Sequence, residues 1–382
     1  MKTFLQLVAQ DLYCKIGNDL SRTAIIFPNK RASLFFNEHL ANQSDQPLWS
    51  PAYLSISELF QHLSVLKLGD PIRLVCGLYK IFREETNSDE SLDGFYVWGE
   101  LLISDFDDVD KNLVDADKLF SNLQDLKSLM NDYEFLDKEQ EEAIQQFFRN
   151  FSIERRTELK EKFISLWDKL GTIYHHYRKN LTELGIAYEG MLYRNVIEQL
   201  NTDQLKYDKY IFVGFNVLNK VEKEFFRKLQ KADKAIFYWD YDIFYTQQIK
   251  KHEAGEFLKR NLEEFPNELP ESFFNTFKEP KKIRYISAST ENAQARFLPG
   301  WIKAITNDHS QITVEKEKEN AVVLCNEALL LPVLHSIPQE VKNVNITMGF
   351  PLAQTPVYSI NKAGKEKEKK RKRDEKKKKK KK

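Results

Sequence analysis

The residues that follow two short apolar runs are where this chain could hold a nucleotide. Tyr210–Phe215 has the pattern of a strand buried on both faces, and Ala235–Trp239 repeats that pattern after a helical stretch. In ATP-hydrolysing proteins built from such strand–helix–strand units, a strand of this kind usually ends in a carboxylate that holds Mg²⁺. Here the first run ends in Gly214, Phe215 and Asn216, so no acid stands at that position.

A phosphate-binding loop is also missing from the sequence. Such a loop needs a glycine-rich turn that ends in Gly-Lys followed by Ser or Thr. The only Gly-Lys pair is Gly364-Lys365, which lies in a charged tail with no apolar run before it. We therefore predict no catalytic residues, no cofactor-binding residues and no metal ligands in this chain.

Six aspartates between Asp105 and Asp117 could instead form a metal site. They do not match a calcium loop, which needs Gly at its sixth position and Glu at its twelfth, where this chain has Asp110 and Ala116. Apolar residues recur at helical spacing through the same stretch, at Leu102, Phe106, Val109 and Leu113. We interpret the aspartates as the solvated face of a helix, and a Mg²⁺-dependent nuclease that uses them is the alternative.

Two further metal signals are weak. A nuclease site with two Mg²⁺-binding carboxylates needs an Asp on one strand and Glu-x-Lys on the next. Only the Glu-x-Lys part of this motif is matched, at Glu158–Lys160 and at Glu340–Lys342. The side chains of His175 and His176 point about 100° apart on a helix, so they cannot share a metal as histidines four residues apart do.

Asn29, Lys30 and Arg31 are candidates for binding a nucleic-acid backbone. They follow the apolar run Ala24–Phe27 and precede a helical pattern over residues 31–40. Amide donors at a helix start and basic side chains suit phosphate oxygens. An ordinary solvated turn is the equal alternative.

Residues after the later apolar runs could add stacking faces and polar contacts. Phe215 and Asn216 follow the first of these runs and complete the candidate DNA-binding set, and Tyr241 could also offer a ring to a base. For Tyr238 and Trp239, packing in the core of a buried strand is favoured.

The charge of the chain is unevenly distributed. The 382 residues have a formal net charge of +1, but residues 362–382 contain 15 of the 58 basic and only 4 of the 57 acidic residues, so the tail carries +11 and the remainder −10. A tail of this composition cannot pack a core. An acidic body argues against strong binding to phosphates, although a local basic groove remains compatible with it.

Cysteine usage and hydropathy point to the cytoplasm. Cys14, Cys76 and Cys325 lie far apart, in neither a metal-ligand nor a disulfide pattern, as is usual in a reducing compartment. No signal-peptide pattern opens the chain, and no apolar run approaches the ~20 residues of a membrane span. We expect a cytoplasmic protein with no membrane partner.

Strand and helix patterns alternate in a way that predicts an α/β fold with a parallel sheet. Helical patterns fill most of residues 71–200, including helices over Glu158–Leu181 and from Asp137, and they interrupt a first α/β domain. Further strands are predicted over 283–288, 321–325 and 344–348, with helices over 291–306 and 329–337 between them.

Three segments resemble the AddB-type subunit of bacterial helicase–nucleases. They are Ala24–Leu40, Phe212–Leu229 and Asn320–Tyr358. The closest resemblance is to the PD-(D/E)XK nuclease family proteins of Bacteroidetes-like bacteria, and it covers about residues 1–360.

This resemblance implies a P-loop-helicase-like, superfamily-one fold with a large helical insertion. It implies the first part of helicase-like domain 1A over 1–90, a 1B-like helical insertion over 91–200 and the remainder of domain 1A over 201–265. It also implies a partial second RecA-like domain over 283–360 and a disordered Lys-rich tail over 361–382. We expect the chain to be truncated before the nuclease domain, the only part for which Mg²⁺ is implied.

The resemblance also implies roles for the candidate residues. Asn29–Arg31 would lie in a loop that contacts single-stranded DNA, and Gly214-Phe215 would replace the acidic Mg²⁺-binding motif. The expected partners are single- and double-stranded DNA ends and an AddA-type (UvrD-like) motor subunit. The expected function is non-catalytic guiding of single-stranded DNA in double-strand-break repair and recombination. The alternatives are an active ATPase or nuclease with divergent motifs and a scaffold that binds only its partner subunit.

Overall fold

The computed structural model describes residues 2–125, 158–247, 253–305 and 320–360, with side chains outside 121–168 and 303–305. The chain divides into two compact units, Met1–Glu279 and Pro280–Lys382. In the described ranges, no helix combines the length and the apolar character that crossing a bilayer requires.

The first unit alternates helices and strands. Its strands are β1 Thr23–Phe27, β2 Ala52–Ser55, β3 Lys67–Leu68, β4 Ile186–Ala187, β5 Lys209–Val213 and β6 Ala235–Tyr238. Its helices are α1 Phe4–Ile16, α2 Ala32–Ala41, α3 Ile56–Leu63, α4 Pro71–Thr86, α5 Leu92–Lys111, α6 Ala116–Asp125, α7 Glu158–Glu183, α8 Glu189–Gln199, α9 Lys220–Lys231, α10 Ile243–Thr246 and α11 Glu253–Glu264. The second unit contains α12 Glu291–Ile305 and α13 Leu330–Ser336.

Four strands form a parallel sheet in the order β2-β1-β5-β6. All five residues of β1 are buried, and their side chains alternate between two cores. Ala24 and Ile26 belong to the apolar cluster that includes the buried residues of α9, whereas Ile25 and Phe27 belong to the cluster that includes those of α1 and α2. The sheet is therefore covered on both faces, as its continuous apolar runs predict, and the predicted α/β class with a parallel sheet is confirmed.

The chain leaves the two central strands in opposite directions. From β1 it passes through α2 to β2, and from β5 it passes through α9 to β6. These two connecting helices contribute to the two different cores, one on each face of the sheet. Neighbouring strands whose connections diverge in this way define a topological switch point, which here lies between β1 and β5.

The described helices of the helical stretch share their core with the sheet. Buried residues of α4, α5, α7 and α8 belong to the same apolar cluster as Leu54 of β2 and Phe212 of β5. The predicted helix over 158–181 is confirmed and extends to Glu183, whereas the helix predicted from Asp137 lies outside the described residues. The short parallel pair of β3 and β4, which joins Lys67 to Ile186, was not predicted from the sequence.

The second unit corrects three predictions. Residues 283–288, 321–324 and 344–347 carry no regular secondary structure, and Cys325 and Met348 lie in bends, so the strands predicted over 283–288, 321–325 and 344–348 are wrong for this structure. A strand is defined by hydrogen bonds to a neighbouring strand, and apolar pattern alone does not supply that neighbour. The two predicted helices are confirmed as α12 and α13, which pack through Ala295, Leu298 and Val333. The described part of this unit is therefore helical without a sheet.

Candidate nucleic-acid interface at the carboxyl edge of the sheet

The candidate residues after β1 and β5 lie at one edge of the sheet. These strands pair in parallel with Ile26 opposite Phe212, so their carboxyl ends leave the sheet side by side. The turn at Asn29–Arg31 and the turn at Gly214–Asn216 therefore flank the switch point. In open α/β sheets, ligands bind in the crevice outside this edge at such a point.

Asn29 is held by the start of α2. Its side-chain oxygen accepts hydrogen bonds from the backbone amides of Arg31 at 3.2 Å and Ala32 at 3.4 Å. The helix begins at Ala32, and Arg31 precedes it without a side-chain capping bond. Because Asn29 occupies these two amides, they are not open donors for a phosphate, which corrects the predicted role of the helix start.

Lys30 is exposed but paired. Its ammonium lies 2.6 Å from the Oε1 atom of Glu58, and 73% of its side chain is accessible to solvent. The hydrogen bond from Lys30 is the main cause that holds the pKa of Glu58 below its usual value. A phosphate that binds Lys30 must therefore compete with a carboxylate. Arg31 has no hydrogen bond or ion pair from its side chain to the described residues.

The partner carboxylate of Lys30 also caps a helix. Glu58 accepts from the backbone amide of Ser55 at 2.9 Å, and the Ser55 hydroxyl accepts from the amide of Glu58 at 3.2 Å. This reciprocal capping box begins α3 at Ile56. The capping box holds Glu58 at the carboxyl edge, beside the turn after β1.

The turn after β5 offers fewer contacts than predicted. Gly214 has a φ of +73°, a conformation that favours glycine, and its amide donates to the carbonyl of Tyr238 at 2.9 Å. Phe215 is only 5% exposed and packs against Phe226, with ring centroids 5.6 Å apart. Phe215 therefore cannot stack on a base, and that part of the prediction is wrong. Asn216 is exposed, and its carbonyl accepts from the side chain of Asn261 at 2.6 Å.

The other aromatic candidates are structural. Tyr238 and Trp239 are buried, which confirms that core packing was the better interpretation. The Tyr238 hydroxyl donates to Asp11 at 2.5 Å, and the Trp239 indole N–H donates to a backbone carbonyl at 2.8 Å. Tyr241 stacks on Phe274, with centroids 4.5 Å apart.

A carboxylate-rich cluster, which the sequence did not reveal, borders the same edge. The Lys111 ammonium lies 2.7 Å from Asp107 and 2.6 Å from Glu189, and the Ser57 hydroxyl donates to Glu189 at 2.9 Å. Glu222, at the start of α9, has a raised pKa because burial disfavours its charge. Asp107, Glu189 and Glu222 outnumber Lys111, so this part of the edge is acidic. The cations nearest the two turns are Lys30 and Arg31 after β1 and the exposed Lys220 at the start of α9.

Two acidic features lie beyond β6. Asp240 follows that strand, and desolvation raises its pKa above the usual value. A cleft of about 470 Å³ is lined in part by Tyr241, Asn267, Glu268 and Glu271. Its two glutamates suit a cation better than a phosphate, so the cleft does not extend the candidate interface.

The aspartate-rich stretch is only partly the solvated face that its composition predicts. Asp110 is completely buried, and its carboxylate accepts hydrogen bonds from hydroxyls of Tyr174 at 2.6 Å and Tyr188 at 2.5 Å. Arg194 and Arg178 lie 3.3 and 3.4 Å away and balance its charge. The prediction was wrong for Asp110, although its spacing of four residues from Phe106 could have indicated a buried position.

The metal alternatives do not come together in the described part of the chain. No group of three or more His, Cys, Asp or Glu side chains there is arranged to hold a metal ion. His175 pairs with Asp117 at 2.7 Å and His176 pairs with Glu85 at 2.5 Å, so the adjacent histidines contact different helices. The side chains of Glu158–Lys160 lie outside the described residues, and Glu340–Lys342 is not in a strand.

A scan against protein-family models and a search of curated proteins gave no match to this chain.

Proposed function

We propose that this chain is a non-catalytic, helicase-like part of an AddB-type helicase–nuclease subunit. It guides single-stranded DNA across the carboxyl edge of its parallel sheet during double-strand-break repair and recombination in the bacterial cytoplasm. Its fold is a superfamily-one, P-loop-helicase-like domain that has lost its nucleotide site. An AddA-type motor subunit supplies the ATP-driven movement.

One observation carries the proposal, namely the chemistry of the switch point between β1 and β5. Two basic residues, the exposed Lys30 and the half-buried Arg31, follow β1 at this point. Gly214 follows β5 where an ATP-hydrolysing protein would hold Mg²⁺ with a carboxylate. A fold that keeps a ligand-binding edge but lacks this acid suits a polyanion that is held and not hydrolysed.

Binding to single-stranded DNA tests the proposal directly. The affinity of the chain for a labelled oligonucleotide is measured across a salt series, with and without residues 361–382, because the Lys-rich tail binds polyanions by itself. Lys30→Ala/Arg31→Ala should weaken binding and reduce the salt slope by about 1.4, since each contact to a single strand contributes about 0.7.

A charge-matched control separates local contact from overall charge. Lys179→Ala/Lys231→Ala removes two exposed positive charges from α7 and α9 and should leave the affinity nearly unchanged. Equal losses in both double variants, or no binding once the tail is removed, would count against a DNA contact at the sheet edge.

A partner-binding scaffold is the second candidate, and the outer face of α5 favours it. Val97, Trp98 and Leu101 are 72%, 46% and 44% exposed on this helix. One turn further on, Asp105 is half-buried with no cation beside it in the described residues, and desolvation followed by the charge of Asp108 raises its pKa to about 6. An apolar face that ends in carboxylates without a cation beside them in the described chain suits a basic, apolar surface of a motor subunit.

The two candidates respond to different substitutions. If the chain acts only as a scaffold, Trp98→Ala/Leu101→Ala should abolish co-elution with the purified motor subunit, while Lys30→Ala/Arg31→Ala has no effect on any DNA-dependent readout. Loss of DNA binding in the second variant alone would favour the guiding role.

A further inference from the structure

A short basic and aromatic segment opens the second unit. Residues 281–287 are all exposed and have no regular secondary structure. Within them, Lys282 and Arg284 flank Ile283, Tyr285 follows directly, and Tyr285 is 90% exposed. This exposure is the largest among the large apolar and aromatic side chains of the described chain, so the ring is offered to solvent and not packed.

The cations of this segment differ from the cation at the sheet edge. Lys30 is held by Glu58 at 2.6 Å, whereas Lys282 and Arg284 have no ion pair or hydrogen bond to the described residues. The ring of Tyr285 likewise has no aromatic or cationic neighbour there. A ligand that binds these three side chains therefore displaces no partner among the residues that the structure describes.

The chemistry of the segment fits a single-stranded nucleic acid. Phosphates attract Lys and Arg, and every base has a face that can stack on an exposed ring. A duplex keeps its bases stacked on one another, so a solitary tyrosine finds a base face only in a single strand. A membrane surface is a poorer fit, because interfacial binding needs an amphipathic helix and this segment is not helical.

We propose that Lys282, Arg284 and Tyr285 form a contact site for single-stranded nucleic acid. Tyr285 stacks on one base, and Lys282 and Arg284 contact the flanking phosphates. This inference rests on the proposed function, because it assigns a second DNA contact to the same chain. The two contacts differ in their physical basis. Binding at Tyr285 depends on stacking of a base, whereas binding at the sheet edge depends on the charges of Lys30 and Arg31.

Photo-crosslinking of the full chain to a 5-iodouridine-substituted oligonucleotide tests the site without removing the tail. Stacked iodouridine reacts with aromatic side chains, so mapping of crosslinked peptides should identify Tyr285. Tyr285→Ala should abolish that crosslink and weaken binding at least about fivefold, because stacking on an aromatic side chain contributes about 1–3 kcal/mol per base. Tyr285→Phe should keep the affinity, since it retains the ring.

The control is another exposed aromatic residue without basic neighbours. Trp49 is 70% exposed and lies between Pro47 and Pro51, so Trp49→Ala should leave both the crosslink and the affinity unchanged. An unchanged affinity in Tyr285→Ala together with no crosslink at Tyr285 overturns the inference. If Lys30→Ala/Arg31→Ala still weakens binding in that case, the proposed function stands. If every crosslink maps to residues 361–382 and neither variant has an effect, both proposals fail.

Discussion

The carboxylate of Asp110 accepts a hydrogen bond of 2.5 Å from the hydroxyl of Tyr188, a residue 78 positions later in the chain. This bond joins α5 to the start of α8 inside the core, where Asp110 has no exposure to solvent. Burial, followed by the charge of Asp110, raises the pKa of Tyr188 well above its usual value, so the hydroxyl remains a donor. The helical stretch is therefore joined internally by a polar contact as well as by apolar packing.

Asp110→Ala should destabilise the first unit severely. The substitution leaves the hydroxyls of Tyr174 and Tyr188 and the nearby guanidinium of Arg178 without their acceptor in a buried site. Removing one partner from a buried charged network costs about 3–5 kcal/mol. Urea denaturation followed by circular dichroism measures the loss, with Asp110→Asn as a milder variant that keeps one acceptor oxygen.

Asp117→Ala is the matched control for that experiment. Asp117 pairs with His175 at 2.7 Å, but its side chain is 82% exposed. Exposed pairs contribute about 0–1 kcal/mol, so the unfolding midpoint should move little. Similar losses in Asp110→Ala and Asp117→Ala would contradict the buried network.

Asp105 should make stability depend on pH in the opposite sense to most carboxylates. Desolvation, followed by the charge of Asp108, raises its pKa from 3.8 to about 6 in the folded chain. The folded state therefore keeps this proton to a higher pH than the unfolded chain does. As the pH rises from about 4 to about 6, ionisation of Asp105 lowers the free energy of unfolding. Asp105→Asn has no carboxyl to ionise and should not show this pH-dependent loss of stability.

The expected gain in Asp105→Asn is about 1 kcal/mol near pH 7.5, after allowance for solvent screening of a half-exposed group. It should become small near about pH 3, where the wild-type carboxyl is mostly protonated in both the folded and the unfolded chain. Urea denaturation at the two pH values measures this difference. An equal effect at both pH values would mean that the change acts through packing or helix propensity and not through the charge.

Local patterns explain what could be predicted from the sequence. Continuous apolar runs predicted β1 and β5 because both faces of the sheet are covered, and Asn219 followed three residues later by Glu222 is the local sequence pattern of the capping box that begins α9. Both signals depend only on residues close together in the chain. The parallel order of the strands followed from the helices between them.

Features that depend on distant partners could not be predicted in this way. Asp110 belongs to a charge run and is buried only because α7 and α8 supply hydroxyls and guanidinium groups. Residues 344–347 alternate like a strand, yet no strand pairs with them in the described chain. Lys30 has the exposure expected of a DNA contact, but the carboxylate that pairs with it comes from Glu58 in the first turn of α3, 28 residues later.

Gly190→Ala should destabilise the contact between α5 and α8. A Cβ atom at Gly190 would overlap the backbone carbonyl oxygen of Asp107 and lie 3.0 Å from its Cα atom, and backbone cannot move aside as a flexible side chain can. Overpacking of this kind costs about 1–3 kcal/mol, measured as a fall in the urea midpoint.

Gly77→Ala tests the opposite case within α4. A Cβ atom there would meet only the Tyr177 ring at 3.8 Å, an ordinary contact. Alanine in place of glycine in a helix interior should therefore stabilise the protein by about 0.5–1 kcal/mol. A loss of stability in Gly77→Ala would contradict the spacing between α4 and α7.

Glu58→Gln should tighten binding to single-stranded DNA if Lys30 contacts phosphate. The native carboxylate pairs with Lys30 at 2.6 Å, and glutamine removes its charge while it preserves the capping box with Ser55. Exposed ion pairs contribute up to about 1 kcal/mol, so the affinity should rise by up to about fivefold at low salt.

Fluorescence anisotropy without residues 361–382 measures the change in affinity, and Glu263→Gln, at an exposed site on α11, controls for net charge. This gain in affinity should disappear in the Lys30→Ala background, because Glu58 then has no lysine with which to pair. A gain that persists there would assign the effect to general charge and remove Lys30 from the interface.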